Sequence, residues 1–124
     1  MEIKTFFFDT YAFYEIIKGN ENYGGYVKNI TIVTTKLNLM ELYYGLIAKY
    51  DEKTANLYYD KLVQYCTFID DDSIKRAMIF RLNNKKRDLS YVDCIGYIIA
   101  KKMNIKFLTG DKEFENMENV EFVK

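Results

Sequence analysis

Lys4-Thr5-Phe6-Phe7-Phe8-Asp9-Thr10 is the stretch whose reading decides the fold. Three consecutive phenylalanines run straight into a carboxylate. Strand side chains alternate between faces, so a short run that is apolar throughout marks a central strand of a parallel sheet covered by helices on both sides. In such sheets ligands bind beyond the carboxyl ends of the strands. Asp9, where the run stops, is therefore the first candidate site residue.

The segments around it agree with that reading. After a strand over residues 3–9, Thr10 caps a helix over 11–17 that stops at Lys18-Gly19-Asn20. Residues 22–28 form a short helix weakened by Gly24-Gly25, and the β-branched run 30–34 is a second strand. Thr35 caps a helix to about Tyr50, so densely apolar that burial nearly all round is expected. A helix from Asp51 or Lys53-Thr54 through Tyr65 leads to a short strand at Thr67-Phe68-Ile69. Asp70-Asp71-Asp72-Ser73 opens a helix to about Leu82. Acids in a first turn suit the helix dipole, so this trio reads as capping surface rather than a metal site. Beyond the polar loop 83–88, Ser90 starts a helix to Met103, and 106–109 is a strand ending at Gly110-Asp111. A helical turn over 112–115 and a strand over 120–123 complete the chain. Strands alternating with helices, without hairpin signals, predict an α/β fold with a mainly parallel sheet, as one domain over 1–124.

Composition narrows the chemistry. A chain of 124 residues, 49% hydrophobic and 29% charged, buries a core without staples. Its 12 Tyr and 9 Phe read first as a bulky core rather than a base-stacking surface. Lys+Arg and Asp+Glu are both 18, so any nucleic-acid footprint must be local. Glu2, Lys4, Asp9 and Glu15 interrupt any leader-like run, and no stretch approaches the roughly 18–20 apolar residues of a membrane span. Cys66 and Cys94, both in predicted helices, read as free, buried thiols of a reducing compartment, so a cytoplasmic protein is expected. The chain has no His, which excludes Ser-His-Asp and Cys-His chemistry and leaves carboxylates, Lys, Tyr or a metal. It has no Pro either, so turns fall to Gly and Asn.

Four acids stand out by position. Asp9 and Asp111 lie at the carboxyl ends of two strands and so face one sheet edge. Glu41 sits inside an apolar helix, with Gly45 one turn on leaving open space beside it. Asp93 lies in the first turn of another apolar helix, sharing its face with Gly96 and Tyr97. Each has an ordinary reading: a cap for Asp9, a buried ion pair for Glu41, a capping box with Ser90 for Asp93, a turn acid or cap for Asp111. Those readings do not explain why all four fall where a doubly wound sheet would gather them. Crowded carboxylates repel, and a hard divalent cation with oxygen ligands, Mg²⁺ or Mn²⁺, removes the conflict.

These motifs, in this order, resemble the PIN-domain ribonucleases. Phe6-Phe7-Phe8-Asp9-Thr10 is similar to their opening strand-Asp-Ser/Thr. Leu39-Met40-Glu41-Leu42-Tyr43-Tyr44-Gly45 is similar to their Glu helix. Leu89-Ser90-Tyr91-Val92-Asp93-Cys94 resembles their Leu-Ser-x-x-Asp-Ala, with Cys94 in place of Ala. Phe107-Leu108-Thr109-Gly110-Asp111-Lys112-Glu113-Phe114 resembles their Leu-Thr-x-Asp-x-x-Phe. The length suits the VapC-like toxin branch. The resemblance implies a three-layer α/β/α sandwich with about five strands and metal-dependent cleavage of RNA. Asp9, Glu41, Asp93 and Asp111 would be the metal-holding acids, supported by the hydroxyls of Thr10 and Thr109. It also implies a homodimer paired with a small antitoxin. Members often carry a further acid after the fourth, a place that Glu113 or Glu115 would fill.

The chemistry does not depend on the family. A held cation lowers the pKa of water and offsets charge on a phosphate, so cleavage that leaves a 5′-phosphate and a 3′-hydroxyl needs no His. Lys85, Lys86, Arg87, Lys101, Lys102 and Lys106 offer a basic surface for RNA, unless they are only solvated surface. Tyr91 and Tyr97 are candidates for stacking on bases, although Tyr97 also reads as core; Tyr58, Tyr59 and Tyr65 are candidates for a dimer face. A non-catalytic PIN-like RNA- or protein-binding module is the competing reading. A phospho-receiver would need an acidic pair after the first strand, and a haloacid-dehalogenase-like phosphatase an Asp-x-Asp that Tyr11 breaks.

Overall fold

The phenylalanine run is β1, Lys4–Phe8, and it holds an inner place in a four-stranded sheet. The computed structural model describes residues 3–124. With β2 at Ile30–Val33, β3 at Lys106–Thr109 and β4 at Val120–Phe122, the strand order is β2-β1-β3-β4, every pairing parallel. From β1 the chain first moves outward to β2, then returns to the other side for β3. The direction reverses between β1 and β3, and that is where ligand crevices open in such sheets.

Alternation along β1 explains the triple phenylalanine. Phe6 and Phe8 enter one core cluster and Phe7 the other. The first face is covered by α1 (Thr10–Ile17), a 3-10 turn (Glu21–Tyr26), α2 (Lys36–Lys49) and α3 (Glu52–Leu62). The second is covered by α4 (Asp71–Asn83) and α5 (Tyr91–Lys102). The expected three layers are therefore present. Phe7 stacks on Phe107 with centroids 5.5 Å apart, and Phe107 meets Phe114 at 4.7 Å. Each such ring pair adds about 0.5–1.5 kcal/mol beyond burial. Gly96 lets α5 rest directly on this stack, because a Cβ there would lie 2.7 Å from the Phe7 ring.

Four asparagines, Asn29, Asn104, Asn116 and Asn119, adopt left-handed backbone, and Asn29 and Asn119 stand immediately before β2 and β4. In a chain without proline, Asn is the residue besides Gly that takes this conformation at small cost.

Several expectations are corrected. The described residues hold four strands, not about five. At the predicted fifth, only Cys66 pairs, as a lone bridge to Thr34, with Thr67 N donating to Thr34 O at 2.8 Å. Phe68 then turns out to 84% exposure as the chain enters the Asp70 cap of α4, too soon for a ladder to extend. Cys66 is accordingly half-buried in extended chain rather than buried in a helix, while Cys94 is buried as expected; both are free thiols. The helix predicted over 22–28 is the 3-10 turn. Nor is α2 buried all round: Leu39, Leu42 and Leu46 pack inward, whereas Met40, Tyr44 and Ile47 are exposed. Tyr58, Tyr59 and Tyr65 are half-buried against the first core cluster, so only part of each side chain faces outward. Among the described residues no helix is long and apolar enough to cross a membrane.

Candidate active site

Asp9 follows β1 directly and is 3% exposed. Its Oδ1 accepts the Thr10 N–H and its Oδ2 the Thr109 hydroxyl, both at 2.8 Å. Thr109 ends β3, so the two strands that flank the reversal point meet at this carboxylate. The Thr109 oxygen in turn accepts the Asp111 N–H at 3.1 Å. Asp111 caps the next turn through the Glu113 N–H, at 3.0 Å.

Glu41 arrives from α2. Its Oε1 accepts the Thr10 hydroxyl at 2.8 Å. Among the described residues it is in no ion pair, so the buried salt-bridge reading fails. The open space expected beside Gly45 is filled. A Cβ there would collide with the Tyr14 hydroxyl, which reaches the carbonyls of Glu41 and Leu42 at 3.4 Å. The glycine thus admits a tyrosine, not a ligand.

Asp93 arrives from the first turn of α5. Its Oδ2 accepts the Ser90 N–H at 2.8 Å, and its own N–H donates to the Ser90 hydroxyl at 3.0 Å. The capping readings of Asp9, Asp93 and Asp111 are therefore all realised. Capping occupies one lone pair of a carboxylate and leaves others open, so it does not compete with a second task.

Electrostatics joins the four. Asp9 is pushed up to about 8, first by burial, then by the Asp93 charge, with Glu41 adding and the Thr109 and Thr10 hydrogen bonds opposing. Asp93 is pushed up to about 6, again first by burial, with Glu41 and Asp111 adding and Ser90 opposing. Glu41, Asp93 and Asp111 thus each act on another acid of the set. Even so, among the described residues no three acidic or cysteine side chains are already gathered into a metal-holding group. The donors present are carboxylate oxygens without a cation among them. That suits Mg²⁺, which keeps several waters and binds through one or two carboxylates together with substrate phosphate rather than in a closed protein cage. Asp9, Glu41, Asp93 and Asp111 are the residues that could hold it.

Asn38 escaped the reading of the sequence. It is fully buried, donates from Nδ2 to the Thr10 oxygen at 3.2 Å, and accepts the Thr35 hydroxyl at 2.7 Å. Its signal was a lone amide in an apolar helix, one turn before Glu41. The candidates for a fifth acid divide: Glu113 accepts the Asp88 N–H at 3.0 Å, and Glu115 is exposed.

The predicted basic surface separates. Lys85 and Lys86 are exposed on the turn after α4. Arg87 is half-buried and donates to the Glu113 carbonyl, which ties that turn to the Asp111 segment. Lys101 and Lys102 sit at the opposite end of α5 from Asp93, paired with Glu118 and with Asp70 and Asp72. Tyr97 is core, and Tyr91 is exposed beside the site.

Known proteins share the fold. The family model described as "PIN domain" matches residues 6–120. The solved structure of VapC20 from Mycobacterium tuberculosis, described as a sarcin-ricin loop cleaving toxin, superposes with a TM-score of 0.80 at 18% identity, covering 96% of this chain and 99% of that one. DNA-bound VapBC from Salmonella typhimurium gives 0.73 at 18%, over 94% and 95%. A toxin-antitoxin complex from Klebsiella pneumoniae gives 0.71 at 17%, over 92% and 93%. At such identities these likenesses show the fold. No curated protein matches the chain by sequence.

Proposed function

This chain belongs to the PIN-domain family, and on that premise we propose that it is a metal-dependent endoribonuclease, the toxin of a toxin–antitoxin pair. One observation carries the reading: a buried, uncompensated carboxylate, Asp9, stands at the reversal point of the sheet and is acted on by Asp93 and Glu41. A single domain over 1–124 acting in the cytoplasm is part of the proposal, supported by two free thiols.

Asp9, Glu41, Asp93 and Asp111 would hold Mg²⁺ or Mn²⁺. Bound there, the cation supplies a water acidic enough to ionise near neutral pH and offsets charge on the scissile phosphate. The protein's own groups do the positioning. Thr109 orients the Asp9 carboxylate, and Thr10 orients both Asp9, through its N–H, and Glu41, through its hydroxyl. Asn38 fixes the Thr10 oxygen from behind. A carboxylate of this set would assist in taking the proton from the attacking water. Attack by water on single-stranded or structured RNA would leave a 5′-phosphate and a 3′-hydroxyl.

An antitoxin partner is supported by the toxin–antitoxin descriptions of the fold's neighbours. The exposed Met40, Tyr44 and Ile47, one turn apart along α2 beside Glu41, offer apolar surface for a partner or for a homodimer. The competing reading, a binding module that does not cut, draws on the acids not being pre-gathered.

A nuclease assay on short RNA with Mg²⁺ or Mn²⁺, run with and without EDTA, separates the two. Cleavage is expected only with metal, and Asp9→Asn is expected to abolish it while the far-UV spectrum is unchanged. Full cleavage by Asp9→Asn would sink the site assignment.

A further inference from the structure

Several cations of this chain are neutralised by a neighbour: Lys18 by Glu15, Arg76 by Asp72, Lys101 by Glu118, Lys102 by Asp70 and Asp72. Arg81 is held in another way. Its Nε donates to the Leu89 carbonyl at 3.0 Å, and its guanidinium carbon lies 4.5 Å from the centroid of the Tyr91 ring. Among the described residues it is in no ion pair, and its terminal nitrogens have no hydrogen-bond partner. Tyr91 is the first residue of α5, 61% exposed, and stands two residues before Asp93. A charge held over an exposed ring, with its N–H edge unused, thus stands at the end of α5 that carries Asp93.

We propose that Arg81 and Tyr91 form a docking point for single-stranded RNA beside the acids, a base stacking on Tyr91 and the guanidinium edge taking the adjoining phosphate. The proposal rests on the ribonuclease reading above. A tyrosine face accepts any base, so this contact secures the strand without selecting its sequence. A guanidinium that lies flat on a ring still presents its in-plane N–H groups outward, where two of them match two phosphate oxygens. The Nε bond to Leu89 holds Arg81 in place in advance, which lowers the entropy lost on binding. Lys85 and Lys86, exposed on the turn that follows α4, extend the same positive rim along the backbone.

The test uses a short fluorescein-labelled single-stranded RNA. Binding is read by anisotropy in an Asp9→Asn background, so that the strand stays whole, and cleavage is read in the otherwise native chain. Tyr91→Ala is expected to weaken binding roughly 5- to 150-fold, the worth of one stacked base, and Tyr91→Phe to restore it. Arg81→Gln is expected to lower the slope of log affinity against log salt by about 0.7, the value for one phosphate contact on a single strand, whereas Tyr91→Ala leaves that slope unchanged. In cleavage both should raise KM more than they lower kcat. Tyr91 is exposed, so its variants should keep the native circular dichroism. Unchanged affinity in Tyr91→Ala, with native cleavage intact, overturns the docking point alone. Stacking-dependent binding without any cleavage by the native chain overturns the ribonuclease reading alone. No binding by the parent together with no cleavage by the native chain overturns both.

Discussion

The two ends of α5 lie among aspartates treated in opposite ways. At the N-terminal end Asp93 is raised to about 6 and its neighbour Asp9 to about 8, each first by burial and then by other acids. At the C-terminal end Lys102 Nζ lies 2.7 Å from Asp70 and 3.1 Å from Asp72, and Asp70 is held down to about 2, first by the Lys102 hydrogen bond and then by that from Ser73. The side chain is the same and so is the packed pair of helices; what differs is a cation. Where the fold only has to stand, it supplies one. Where the acids face the reversal point of the sheet, no described cation pairs with them, and the electrostatic conflict stands.

The sharpest way to break that contrast is at Asp9. Beyond the loss of cleavage, Asp9→Asn measured in EDTA at mildly alkaline pH should raise Tm by several degrees, because relieving a crowded, buried charge is worth about 1–2 kcal/mol. Millimolar Mg²⁺ should raise Tm of the native chain and do little for the variant. A variant less stable than the native protein without metal would mean that the acids are not in conflict.

A second test reaches the network behind the acids. Asn38→Ala leaves the buried hydroxyls of Thr10 and Thr35 without their amide partner, at a cost of about 1–3 kcal/mol by urea denaturation. Cleavage should fall as well, though less than for Asp9→Asn, since Glu41 keeps its place on α2 but loses the firm seat of Thr10. Native cleavage in a destabilised Asn38→Ala would reduce Asn38 to packing.

The smallest effect belongs to the compensated end. Lys102→Met should lower Tm slightly at neutral pH and leave cleavage untouched. The folded pKa of Asp70 is depressed, so its contribution is present above the unfolded value of 3.8 and is lost as pH falls through about 2. The gap between Lys102→Met and the native chain should therefore close across that window. A gap that persists at pH 2 would assign it to the lysine's packing.

Much of this was legible in the chain. The phenylalanine run announced an inner strand because only a strand covered on both faces can bury side chains of both parities. The four acids stood out because each interrupts or ends an apolar segment. The basic surface was less legible, since neighbours in sequence are not neighbours at a site. Lys101 and Lys102 lie about 13 Å from Asp93 along α5 at the usual helical rise, on the wrong edge of the sheet. Gly45 was misread because a glycine shows that something comes close without showing what, and here it is Tyr14. The Asn38 network was missed because a single polar residue acquires meaning only through its partners.

What the sequence determined by itself was local and periodic: strand, helix and cap, the alternation that sets three layers, and which residue types were available for chemistry. Tertiary structure alone decided which charges find partners. Lys102 reaches Asp70 and Asp72 from the next helix, whereas no cation of the described chain pairs with Asp9. That outcome depends on distances between elements far apart in the chain, and Coulomb energy, unlike helical periodicity, depends on distance in space and not on spacing in sequence.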